Sequence, residues 1–164
     1  MAERREEEEP GSGLLNATFA GTGVLVATST AAALAPDTFE MVHAWIAGAL
    51  FAIGVGAFLW AYALGISRSR TDLVSIPGLF FLSGDVAPPS IRRPFRVALA
   101  VEVVVVIAAA LVRPYTAVAF GILAPMFGMG LMATWGGRHG RFAVRPPKGT
   151  PPPPHRAADG EDAL

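Results

Sequence analysis

Residues 44–66 read AWIAGALFAIGVGAFLWAYALGI, and no charged side chain interrupts them. At 1.5 Å of rise per residue a helix over this stretch is about 35 Å long, enough to cross a hydrocarbon core of about 30 Å. Trp45 and Tyr62 stand near its two ends, where amphipathic rings settle at membrane interfaces.

Working outward, the same signature recurs three times. Residues 14–35 carry no charge, and a Pro36-Asp37-Thr38 stop follows them. Residues 115–135 are also uncharged, with Pro125 near the middle, where the missing backbone donor predicts a kink. Residues 97–112 form the shortest run, about 24 Å if helical, and contain Glu102. Arg96 and Arg113 flank that run and can snorkel to the headgroups to extend it. The expected spans are 14–35, 43–66, 96–112 and 115–135. The fold expected is an all-α membrane protein, a four-transmembrane-helix bundle over 14–135. The composition agrees: 52% of residues are hydrophobic, only 16% are charged, and mean hydropathy is +0.47.

Between the second and third spans, residues 73–82 (LVSIPGLFFL) are apolar, too short to cross, and broken by Pro77-Gly78. They are expected to be interfacial or re-entrant. The polar segment 1–13 and the basic, then proline-rich segment 136–164 are expected to be disordered tails. Glu3 to Glu9 are mostly acidic, which argues against a cleavable signal peptide.

Orientation follows from the basic residues. Arg4 and Arg5, five arginines within 67–96, and five basic residues after 136 lie on one side; only Arg113 lies on the other. The positive-inside rule then predicts a multi-pass plasma-membrane protein with N-terminus and C-terminus both cytoplasmic. Zero formal net charge and no basic–aromatic pattern exclude a nucleic-acid partner. Zero cysteines exclude disulfides, thiolate metal sites and CxxC redox chemistry.

Glu102 is the one acidic residue inside a span, which makes it a functional candidate by default. Counted from Val97 it lies roughly 8 Å below the cytoplasmic interface. Antiparallel threading puts Thr18, Thr22, Tyr62 and Thr134 at comparable depth. Arg96 is on another face of the same helix, and Arg113 shares the face but lies about 16 Å away. A polar clamp is the simpler role, and a proton or ligand site the sharper one.

Ala44, Gly48, Ala52 and Gly56 repeat every fourth residue, the small-xxx-small pattern that lets membrane helices approach closely. Packing inside the bundle is the simpler reading; a homo-oligomer or membrane-protein partner is the other. His43 and His139 fall at opposite ends of the bundle, so no haem site is expected, and no cofactor or metal motif is present. Arg138, His139 and Arg141 are candidates for contact with lipid headgroups. With no catalytic group apart from Glu102, the leading expectation is a non-enzymatic accessory subunit or assembly partner. The alternative is a small proton- or cation-coupled transporter or channel using Glu102.

Arg113-Pro114-Tyr115-Thr116, Ala119-Phe120-Gly121, Pro125-Met126-Phe127-Gly128 and Arg138-His139-Gly140-Arg141-Phe142 resemble a group of small actinobacterial integral membrane proteins with an RPxT…AFG…PMxG…RHGxF pattern. The match covers about a quarter of the chain. It implies a bacterial plasma-membrane location and carries no activity over to individual residues.

Overall fold

A computed structural model describes residues 11–146. The expected tails fall largely on residues 1–10 and 147–164, outside the described part. In chain order the elements are α1 (Ser12–Leu34), α2 (Pro36–Arg68), α3 (Ile76–Phe81), α4 (Pro89–Val112), a 3₁₀ helix (Ala117–Leu123) and α5 (Met126–His139). α1, α2, α4 and the 3₁₀–α5 unit are each long and apolar enough to cross a membrane. The protein is an all-α, four-span, multi-pass membrane protein in contact with the lipid bilayer. Trp45, Leu59, Trp60, Val104 and Leu111 stand exposed on its surface, a placement suited to lipid and not to water.

Several boundaries differ from the sequence expectation. The polar stretch 36–43 belongs to α2 and is not a free turn; Pro36 occupies the first turn with Asp37 at the positive end of the helix dipole. α4 begins at Pro89, before the arginines. Its buried row of Ile91, Phe95, Ala98, Glu102, Val106 and Ala109 has unbroken helical spacing, so core packing carries the helix past the basic residues. Arg92 and Arg96 turn away from that row and donate to the carbonyls of Gly84 and Phe81.

At Pro125 the fourth span changes helix type. The Ala124 N–H bonds Gly121, the Phe127 N–H bonds Ala124, and an α-helix resumes at Met126. The segment between the second and third spans folds as α3. Ser75 caps it by accepting from the Gly78 N–H at 3.1 Å, and Leu82 closes it in the left-handed region at φ 51°. Leu79 and Phe80 are buried against Ala61 and Ala133, with Phe80 stacked on Phe58 at 4.5 Å between centroids. Ile76 and Phe81 remain exposed.

The chain past residue 136 is also more ordered than expected. α5 runs to His139, and the backbone N–H groups of Arg141 and Arg145 bond Val86 and Thr71. Leu73 in turn donates to Ala143. Arg68 holds this region together: it bonds Asp72 at 3.2 Å and the Gly137 carbonyl at 3.1 Å, and its guanidinium lies 5.1 Å from the Phe142 ring centre. Most described arginines gather at this end, the basic end below; Arg113 is at the opposite end.

Candidate functional site around Glu102

The carboxyl of Glu102 is 1% exposed and sits where α1, α4 and α5 meet. Its Oε1 accepts from Thr22 Oγ1 at 2.7 Å. Its Oε2 lies against the Gly128 backbone. A β-carbon at Gly128 would stand 2.5 Å from Oε2, so only glycine admits the carboxyl here.

The depth of this site is a correction to the sequence reading. Thr22 stands beside the midpoint of α1, and Gly128 is the midpoint of the fourth span, 117–139. Glu102 is therefore level with the middle of the bundle and not near one interface. The earlier figure came from starting the helix at Val97, whereas α4 starts eight residues sooner.

Of the neighbours expected at that depth, only Thr22 reaches the carboxyl. Thr18 donates to the Leu14 carbonyl, and Thr134 to the carbonyls of Ala57 and Gly130. Tyr62 is exposed; it lines an apolar groove of about 150 Å³ with Gly65, Ile66, Ser69, Val74 and Leu79. Arg96 is occupied at α3, and Arg113 donates to the Ala33 carbonyl at 3.3 Å, at the end of α1. Arg138, His139 and Arg141 are exposed at the basic end, and His139 lies 5.6 Å from the Trp135 ring.

His43 is the residue the sequence reading passed over. It is fully buried two turns into α2, with Nδ1 3.4 Å from Thr28 Oγ1. Its ring also meets the Val118 backbone, and its Nε2 lies beside Gly121. Thr28 is six residues beyond Thr22 on α1, which places His43 about 9 Å from Glu102 along the bundle, toward the end opposite the arginines. A lone histidine among apolar neighbours gives no sequence signal; the glycines at 121 and 128 receive the two side chains only once the helices are packed.

The small-residue row of α2 also lands elsewhere than the simpler reading placed it. α2 enters the bundle through His43, Ala47, Gly54, Ala61 and Gly65. Gly48, Ala52 and Gly56 are exposed, and no atom lies within 4 Å of where a β-carbon would stand at Gly48 or Gly56. The bundle closes instead through Gly54 and Gly130, whose backbones touch. No group of His, Asp and Glu suited to a metal exists among the described residues.

No family model, curated protein or solved structure matches this chain.

Proposed function

We propose that this protein is a non-enzymatic membrane subunit that associates through α2. The observation that carries the reading is the Ala44–Gly48–Ala52–Gly56 row, whose Gly48, Ala52 and Gly56 face outward. Backbone-exposing rows of this kind favour helix association in lipid, where no hydrophobic force does so. Here the row faces away from a bundle that already closes without it. The occupant is a second copy of the chain, whose identical row offers a complementary small-residue face. The arginine asymmetry supports a plasma-membrane placement with the basic end cytoplasmic. Membership of the actinobacterial group is part of the same proposal. Its motif glycines Gly121 and Gly128 are the two that receive His43 and Glu102.

The test is the size of the detergent-purified full chain beside its Gly48→Ile and Gly56→Ile variants. A dimer in the wild type that becomes a monomer in both variants supports the proposal. A wild-type monomer, or a dimer indifferent to both substitutions, removes it.

A second reading, a proton site at Glu102, is favoured by one observation. Among the described residues the one buried acidic side chain, Glu102, sits at mid-bundle with a single side-chain hydrogen bond. In vesicles Glu102→Gln should abolish proton flux; full flux in that variant defeats the reading.

A further inference from the structure

We propose that the half of the bundle away from the basic end is a proton access path to Glu102, with His43 as the intermediate station. The inference rests on the reading of Glu102 as a proton site and extends it to a route and a side.

The first observation is where the poorly partnered polar atoms lie. Among the described residues, four buried side-chain atoms are poorly partnered: Ser29 Oγ and Arg113 Nε bond nothing, and Glu102 Oε2 and His43 Nε2 meet only the Gly128 and Val118 backbones. Buried polar groups are ordinarily paired, because leaving them unpaired is costly. All four occur between the middle of the bundle and the end opposite the arginines. Ser29 follows Thr28 on α1, and Arg113 reaches Ala33 near the end of α1.

The other half is built differently. There Leu82, Ile91, Phe95, Phe127, Met132 and Trp135 pack into the largest apolar cluster. The buried threonines of that half, Thr18 and Thr134, are both satisfied by backbone carbonyls. The interior is thus apolar and satisfied toward the basic end, and polar and poorly satisfied toward the other.

The second observation is the pair of glycines. Gly121 and Gly128 each set bare backbone against one protonatable group. A β-carbon at Gly121 would lie 2.6 Å from His43 Nε2, much as one at Gly128 would crowd Glu102. Between the two levels Leu25, Ala47, Val106 and Ala124 form a thin apolar layer, two of whose members are alanines.

Among the described residues no charged group faces either station. His43 meets Thr28 of α1, Val106 of α4, and Val118 and Gly121 of the 3₁₀ helix; Glu102 meets Thr22 and Gly128. The nearest charges on α2 are Glu40 and Asp37. Glu40 is committed to the Ala117 N–H at 2.6 Å.

In this path a proton from water at the far end passes Ser29 and binds His43 Nε2. A water molecule entering the alanine side of the layer carries it on to Glu102 Oε2, and the imidazole returns to neutral. Only a proton moves, and no bond to carbon forms or breaks.

The test follows the Glu102 carboxyl by infrared spectroscopy in lipid nanodiscs after a rapid pH jump, using the full chain. Glu102→Gln assigns the band. His43→Gln should slow its response on the order of tenfold or more, the scale of a lost proton-transfer group. Ser29→Ala should slow it as well; it deletes a buried hydroxyl that bonds nothing, so the fold stands. A band that responds at the wild-type rate in both variants overturns the relay and leaves Glu102 as a site reached another way. A wild-type band that never titrates overturns the Glu102 reading, and the relay with it.

Discussion

Gly54→Ala and Gly48→Ala add the same methyl group six residues apart on one helix, yet they should act in opposite directions. At Gly54 the new carbon would lie 2.5 Å from the Met126 carbonyl carbon and oxygen and from the Phe127 nitrogen. All three are backbone atoms at the start of α5, so no rotamer change relieves the clash. Overpacking of this kind costs about 1–3 kcal/mol, and an unyielding backbone puts it near 3. Replacing glycine in a helix returns about 1 kcal/mol, which leaves a net loss of about 2. At Gly48 nothing of the same chain lies within 4 Å, so in the detergent-dispersed monomer only the gain of up to about 1 kcal/mol remains. The two variants should therefore differ by about 3 kcal/mol, roughly a hundredfold in the folding equilibrium. Equilibrium unfolding in mixed micelles, titrated with a denaturing detergent, measures the difference directly. Equal stabilities, or Gly48→Ala as the weaker protein, would mean that α2 faces the bundle by its other side. The proposed docking face would then be lost.

Three further outcomes follow from single contacts. Thr22→Val removes the side-chain hydrogen bond to Glu102 and leaves Oε1 buried and unpaired; it should lower stability by about 1–3 kcal/mol in the same unfolding assay. Double substitution with Glu102→Leu should recover much of that loss, because neither polar group then remains. Ser75→Ala removes the cap of α3, a loss of about 1 kcal/mol, and should raise hydrogen exchange at the backbone of 78–81 while leaving α1 unaffected. Glu40→Ala frees the Ala117 N–H, so faster amide exchange should appear at the start of the 3₁₀ helix; protection equal to wild type would count against that contact.

The number of spans, the helical class and the membrane as solvent were all legible in the sequence. Each depends only on a local quantity, the length of uncharged chain against the thickness of hydrocarbon. That the segment between the second and third spans does not itself cross was legible for the same reason, since Pro77-Gly78 and the shortness of 73–82 exclude a span. The start of α4 was half legible. Its core row is periodic from Ile91, but the arginines at 92, 93 and 96 drew the boundary to themselves.

What only the tertiary structure decided is which face of each helix is inside. A helix in lipid can present apolar residues on every side, so hydrophobicity no longer marks the core, and small residues suit a neighbour helix of the bundle and a partner equally well. Hence the row at 44, 48, 52 and 56 could not be assigned until Gly54 and Gly130 were seen to close the bundle without it. The depth of Glu102 and the burial of His43 belong to the same class of fact. Both depend on the register of one helix against the next, with Thr22, Gly121 and Gly128 brought level with side chains up to eighty residues away. No local pattern encodes that register; the packing of four helices sets it.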